Sequence, residues 1–343
     1  MSLPRTMQAV RARHQGGPDQ LRLETVPVPQ PGPGQVLIRV ESASVNFSDI
    51  KRRRGDAYPF PTALPFVPGG EVAGTVAALG EGVTQLAEGQ PVFALVGGDG
   101  QGGYAQYALA FAPQVNPLPP GLSADQACAL IIAGGTAMLL LKESAHLQPG
   151  DAVLVPAAAG AVGSYLVQLA RHLGAGLVVA AASTRAKADL ALALGAHVAV
   201  DYSRDGWADE VHQATQGRGV DVLLESGGGP LLAEGLRALA PFGRAVVFGA
   251  ASGQPARLDA TTLDHFFYAP APNQSLTAFN IGGWFMARPQ AAGAALGELV
   301  DAVASGAIRP PALHTLPLAQ AEQAHRQMEA RQTSGKLVLK PWH

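Results

Sequence analysis

The stretch "VLVPAAAGAVGSYLVQLARHLGA", residues 153–175, constrains the fold more than any other part of the chain. An apolar run, a loop of small residues and an amphipathic helix follow end to end. Gly160 and Gly163 stand where the second and third glycines of a G-x-G-x-x-G turn fall, and Ala158 takes the place of the first. Gly160 lets backbone approach a pyrophosphate, and Gly163 lets the helix close on the strand. Ala161 and Val162 open a helix whose unpaired N–H groups and dipole favour an anion. Val162, Leu166, Leu169, Ala170 and Leu173 share one helical face that a sheet can cover. So short a pattern also describes a β–α turn without a ligand. The strand before it, the helix after it and the strands that follow favour a nucleotide.

Strand-like runs recur at 152–155, 177–181, 198–200, 220–224, 245–248 and 275–279, with helical patterns between them. Such alternation builds a parallel sheet covered on both faces. "DQACALIIAGGTAMLLLKESA" reads as a buried helix, and "PQAAGAALGELVDAVASGAIRP" as a helix stopping near Gly306. Residues 1–125 have another texture. Gly/Pro-rich turns separate strand-like runs at 35–45, 71–80 and 90–96, which predicts a mostly β domain. "GKLVLKP" closes as a strand returning to it. The chain is therefore α/β. A doubly wound Rossmann domain covers 126–286, and a mostly β domain is formed by 1–125 with 287–343.

Composition narrows the function. Hydrophobic residues make up 48% of 343 and charged residues 15%, enough for a large core and too few for disorder. A net charge of −2 gives no footprint for nucleic acid as the main partner. The single cysteine, Cys128, reads as a small core residue and rules out an internal disulfide or a Cys₄ zinc site. No purely apolar run of about 18 residues and no leader pattern stands out, so the expectation is a cytoplasmic protein without a membrane partner. None of the nine histidines has H-x-x-x-H spacing, and no G-x-S-x-G elbow occurs.

The second strand-to-helix turn reads "AASTRAKAD". An NAD site usually places an acid there for the ribose. This chain has Ser183, which also suits the N-cap of the next helix, followed by Arg185 and Lys187. Cations in a first helical turn oppose the dipole, and a 2′-phosphate offsets that cost. The reading is NADP(H); a solvated basic turn is its alternative.

With these stretches, "ASVNFSDIKRRRGDAYP" (43–59), "PFVPGGEVAGTV" (65–76), "GAHVAVDYS" (195–203) and "VVFGAASG" (246–253), the chain resembles the medium-chain dehydrogenase/reductase superfamily over nearly its whole length. The nearest branch is the zeta-crystallin-like quinone oxidoreductases. The resemblance implies a GroES-like catalytic domain at the N-terminus, an interdomain active site and a homodimer joined through the last Rossmann strand, here 273–285. Zinc members carry Cys where this chain has Asn46 and His where it has Gly70, which implies an enzyme without zinc.

The same resemblance implies the site residues. Asn46 lies where the nicotinamide and substrate meet and bonds the cofactor ribose or the acceptor oxygen, or else only its own loop backbone; Asp49 anchors Asn46 or caps a short helix; Tyr58 polarises a carbonyl or stacks on a flat ring, or is an ordinary surface-loop residue. A second family tyrosine position holds Lys51. Thr136 faces the nicotinamide or bonds its own helix backbone, and Tyr202 packs near the adenosine phosphate or simply at a strand end. Ser226 and Gly227 in "ESGGGP", with Phe248, Gly249 and Ala250 in "FGAASG", follow the fourth and fifth strands, where ligands bind in such sheets. "KRRR" (51–54) reads as a solvated face, or as a patch that steers an anion.

The implied activity is NADPH:quinone oxidoreduction, by hydride or by single electrons. The alternatives are reduction of α,β-unsaturated ketones or enoyl thioesters on the same scaffold, and an NADPH-binding sensor or RNA-binding accessory protein with little catalysis.

Overall fold

The computed structural model describes residues 3–254, 257–268 and 273–343. The chain forms two compact units, one from Met1–Ile132 with Ala312–His343 and the other from Ala133–Pro311.

The first unit opens with a hairpin, β1 (Thr6–Ala12) and β2 (Leu21–Pro27). Then come β3 (Gln35–Ser44), β4 (Glu71–Leu79), β5 (Pro91–Leu95), β6 (Tyr107–Phe111) and β7 (Val115–Pro117). Val36, Ile38, Val40, Val72, Val76, Val92 and Ala94 alternate inward into one core, as half-buried antiparallel strands do. One helix, Phe47–Arg54, leaves the end of β3 and stops at Gly55, whose φ of 82° suits a helix end.

The second unit is a six-stranded sheet of β8 (Ala152–Pro156), β9 (Leu177–Ala182), β10 (Val198–Asp201), β11 (Val220–Glu225), β12 (Leu239–Val247) and β13 (Ser275–Ala278). Its order is β10-β9-β8-β11-β12-β13, and every pairing is parallel. The order reverses between β8 and β11, and the crevice beyond the carboxyl ends there is where such sheets take ligands. Both strands are apolar throughout their centres because helices cover both faces. The helix Ala124–Ser144 is long and apolar enough to cross a membrane, but 78% of its most apolar window is buried in protein, as in a core helix.

The chain then returns to the first unit. β14 (Leu313–Pro317) pairs with β15 (Lys336–Lys340), and β15 runs antiparallel to β3, with Val338 opposite Ser44. By packing, the junctions fall after Ile132 and Pro311, where the texture of the sequence puts them near 125 and 286. The difference at the second junction comes from the helix Pro289–Ala304. Its buried Leu299 lies against Gly134, which places it with the second unit.

Candidate functional site

The glycine turn is built as its residue types require. β8 ends at Pro156, Ala157 takes a φ of 52°, and Gly160 caps the helix Ala161–His172 in extended conformation. A Cβ on Gly163 would lie 2.3 Å from the Ala157 oxygen and 2.8 Å from Ala158 Cα, both backbone atoms. Only glycine allows this closure. At Gly160 a Cβ would meet one atom, Ala157 O at 3.3 Å, so this position is less enclosed than Gly163. Ala158 is buried in the place of the first glycine. The first-turn N–H groups, at Ala161, Val162 and Gly163, have no acceptor within the helix. Burial runs through every residue from Gly163 to Ala170, more than the one face that periodicity predicts, because the segment Gly135–Leu139 packs on the helix as well.

Three predicted groups form around this turn. Tyr202 N–H donates to Ala182 O at 3.2 Å, which sets Tyr202 beside the Ser183 turn. Thr184 is the N-cap there, accepting from Lys187 N–H at 3.3 Å; the expectation of Ser183 in that role is corrected, since the helix begins one residue later, at Arg185. Arg185 pairs with Asp189 at 2.8 Å and is 88% exposed. Ser226 and Gly227 meet the Phe248–Ala250 loop: Ala251 N–H donates to Ser226 O, Ser252 N–H to Gly227 O, and Phe248 N–H to Glu225 O. The buried Glu225 carboxylate holds the loop from inside by accepting the Gly227 and Gly228 N–H groups, and burial pushes its pKa up. Thr136 is buried on the helix Ala124–Ser144.

Tyr202 also lines a groove of about 750 Å³ with Trp207, Leu231 and Phe266. Its cations are already paired, Arg204 with Asp201 and Arg237 with Glu234, and none of the glycine-turn residues lines it. Its size therefore does not make it the nucleotide site.

In the first unit, Asn46 and Asp49 sit at the start of the helix Phe47–Arg54, both buried. Asp49 Oδ2 accepts the Asn46 N–H at 2.8 Å, Oδ1 accepts the Gly69 N–H at 3.1 Å, and the Tyr104 hydroxyl donates to Oδ2 at 3.3 Å. Asp49 thus both caps the helix and fixes the Asn46 backbone. The Asn46 side chain is held by two bonds that leave one of its amide N–H groups unused. Its Nδ2 donates to Ser44 Oγ at 3.0 Å, and its Oδ1 accepts from Lys336 Nζ at 2.5 Å. Lys336 pairs with Glu71 at 3.2 Å, and Ser44 Oγ donates to Glu71 at 2.5 Å. Tyr58 is half-buried with its ring under the Arg52 guanidinium, 5.1 Å from the ring centre, and burial pushes its hydroxyl pKa up.

The basic run is not a solvated face. Arg52 and Arg53 are each 1% exposed. Arg52 donates to Asp99 and to the Asp99 carbonyl and stacks on Phe66; Arg53 pairs with Glu329 at 2.5 Å. Two of the four cations thus point inward to acids far along the chain, which spacing cannot reveal. Only Lys51 and Arg54 of this run reach solvent in part, too little for a basic patch.

Sequence reasoning missed Lys336, Ser44, Tyr104 and His325. The available signal was a lysine in the apolar strand "KLVLK" and a glutamate, Glu71, in the apolar run "EVAG".

His325 and Asp49 titrate in opposite senses. The His325 ring bonds the Tyr104 hydroxyl at 3.0 Å; burial, then Arg53, lowers its pKa from 6.5 to about 3. The unfolded chain takes a proton there that the fold refuses. Stability is full above pH 6.5 and is lost toward pH 3, by up to about 5 kcal/mol. Burial raises Asp49 from 3.8 to about 6, so this group destabilises the fold by up to about 3 kcal/mol as pH rises through that window. Between pH 4 and 6 the two slopes nearly cancel. His325→Gln leaves Asp49 alone, so the variant gains stability relative to the parent as pH falls from 6 to 4. Urea midpoints at pH 7, 6, 5 and 4 read this, and parallel curves for the two proteins count against it.

Residues 161–283 match the family of zinc-binding dehydrogenases, and residues 32–120 the alcohol dehydrogenase GroES-like domain. A 2-haloacrylate reductase from a Burkholderia species is 36% identical over 339 residues, covering 95% of this chain and 96% of its own. A quinone oxidoreductase of Pseudomonas aeruginosa is 33% identical over 328 residues, covering 95% and 97%. A mycobacterial protein solved in complex with NADPH superposes with a TM-score of 0.88 at 36% identity, covering 98% of this chain and 100% of that one.

Proposed function

Since the chain belongs to the medium-chain dehydrogenase/reductase superfamily, with quinone oxidoreductases among its relatives, and is an oxidoreductase, we propose that it reduces quinones with NADPH and without zinc. The observation that carries this reading is the Lys336 ammonium, 2.5 Å from Asn46 and 3.2 Å from Glu71. The residues at the two zinc-ligand positions are an amide and Gly70, and the neighbouring carboxylate is already paired with a buried cation. Among the described residues no three His, Cys, Asp or Glu side chains cluster to hold a metal ion. This donor set does not fit zinc, which takes three protein ligands and keeps a fourth position open.

The second unit does fit a dinucleotide. Gly160 and the N–H groups of Ala161, Val162 and Gly163 would hold the pyrophosphate. Arg185 and Lys187 would hold a 2′-phosphate, Tyr202 would pack near the adenosine, and Ser226, Gly227 and Phe248–Ala250 with Thr136 would line the nicotinamide half. When bound, the nicotinamide supplies the reducing equivalents. Without a Lewis acid, the acceptor must already be electrophilic, as quinones and conjugated carbonyl compounds are. Asn46 donates a hydrogen bond to the acceptor oxygen, and Tyr58 stacks on the ring or donates to it. A reduced quinone takes its protons from solvent.

The likeness to a 2-haloacrylate reductase, named for a conjugated acid, favours a second reading: reduction of an activated C=C bond. That reaction must protonate a carbon, so the Tyr58 hydroxyl becomes essential. Initial rates of NADPH oxidation with metal-free protein decide. Turnover with 1,4-benzoquinone supports the first reading. Turnover with a conjugated enone alone, lost in Tyr58→Phe, supports the second.

Arg185→Ala with Lys187→Ala weakens NADPH about tenfold or more, from two lost charge-assisted bonds, and leaves NADH nearly unchanged. Equal loss of both nucleotides contradicts the 2′-phosphate assignment. β13 is exposed along its length, with Leu276 39% exposed, and among the described residues it pairs on one side only, with β12. A bare apolar edge calls for a partner strand, and we infer a homodimer through it. Light scattering that returns a monomer at working concentration contradicts this.

A further inference from the structure

Four buried side chains close into a ring: Lys336, Asn46, Ser44 and Glu71. Its bonds have one possible direction. An ammonium only donates and an ionised carboxylate only accepts. The Asn46 atom 2.5 Å from Lys336 Nζ must therefore be the amide oxygen, since the amide nitrogen has no lone pair to offer. The nitrogen then faces Ser44 Oγ at 3.0 Å, where Ser44 accepts. The Ser44 proton goes to Glu71 Oε1 at 2.5 Å, and Lys336 closes the ring on the same oxygen at 3.2 Å. Glu71 is itself fixed, because its other oxygen accepts the Ile132 N–H at 2.7 Å. Turning the Asn46 amide over would set an N–H against an ammonium and a carbonyl against a hydroxyl committed to Glu71.

One amide N–H is used on Ser44, which leaves the second as the group Asn46 has to offer. The oxygen is held beneath the ammonium, which draws density from the amide and strengthens that N–H as a donor.

We propose that Lys336 is a positioning residue for the reduction. Through this ring it fixes the Asn46 amide so that the enzyme presents an N–H donor, and not a carbonyl, to the acceptor oxygen that gains charge. The proposal rests on the reading of Asn46 given above. It also sets the substrate class: quinone and conjugated carbonyl oxygens are served by a donor, and the amide oxygen is held against Lys336.

The test is a double-mutant cycle with NADPH and 1,4-benzoquinone. Asn46→Ala and Lys336→Met each lower kcat about tenfold or more, the scale of losing one donor to a developing oxyanion. NADPH affinity stays within about twofold, because its residues lie on other elements. The double variant is no slower than Asn46→Ala alone. Effects that multiply, or a Lys336→Met enzyme with parental kcat, overturn the proposal and leave the reading of Asn46 standing. An Asn46→Ala enzyme with full turnover overturns both. If Lys336→Met does not fold, Ser44→Ala replaces it: this removes the hydroxyl that holds the amide nitrogen and leaves Glu71 its bonds from Lys336 and Ile132, and the same non-additivity with Asn46→Ala is required.

Discussion

A Gly163→Val variant loses NADPH affinity by about tenfold or more, the scale of losing one hydrogen bond to a charged group, and melts several degrees below the parent. The first atom of the new side chain falls 2.3 Å from the Ala157 oxygen and 2.9 Å from the Ala158 carbonyl carbon. Neither is the end of a flexible side chain, so the helix Ala161–His172 must lift off the turn. Overpacking of this kind costs about 1–3 kcal/mol, a few degrees in a unit of this size. The lift also carries the first-turn N–H groups away from the phosphate they would bind. Gly160→Ala is the control. Its Cβ meets one atom, the Ala157 oxygen at 3.3 Å, which must give by a few tenths of an ångström, so melting falls by less than in Gly163→Val while the close approach of a pyrophosphate is blocked. Calorimetry and NADPH fluorescence read both variants. A Gly163→Val protein with parental affinity and melting would show that the turn is not closed as described.

Glu71→Leu lowers the stability of the first unit by about 3–5 kcal/mol, the usual result of removing one partner of a buried ion pair. Three groups lose their acceptor: the Lys336 ammonium, the Ser44 hydroxyl and the Ile132 N–H. Lys336 is 2% exposed and has no route to water without moving β15. Adding Lys336→Met removes the stranded charge, and the double variant recovers part of the loss. Urea unfolding of the parent, both single variants and the double gives the coupling. Losses that simply add mean that the two groups do not act as a pair.

The second unit was legible because its physics is local. Strand, small-residue loop and helix succeed one another within a few residues, and six such alternations leave little choice but a parallel sheet. Gly163 and Gly160 follow from that context. The Thr184 cap differs from the reading by one residue, the ordinary uncertainty of a helix start. The first unit was legible as β texture but not as a site. Asn46, Asp49 and Tyr58 came from the family resemblance, and the structure shows Asp49 as a cap and Asn46 as a member of a ring. Lys336 was invisible because its partners lie across a register set by β15 against β3, and register is not written in either strand alone. Arg52 and Arg53 were misread for the same reason. A run of cations near the helix end looks solvated until the acids that neutralise it, Asp99 and Glu329, are brought in from elsewhere.

The ring also sets an order of events in the making of the protein. Asn46 and Lys336 are 290 residues apart along the chain, and the whole of Ala133–Pro311 is synthesised between them. Joining such distant segments is slow for a free chain, since the closure entropy must be met before the contact rewards it. Folding of the inserted unit first replaces a long floppy loop with the fixed span between the two ends of one body. Until β15 arrives, Glu71 lacks its cation and the Asn46 oxygen lacks the donor that fixes it. On the ribosome, the second unit is therefore completed first, and the ring closes only when the late strand is translated and docked.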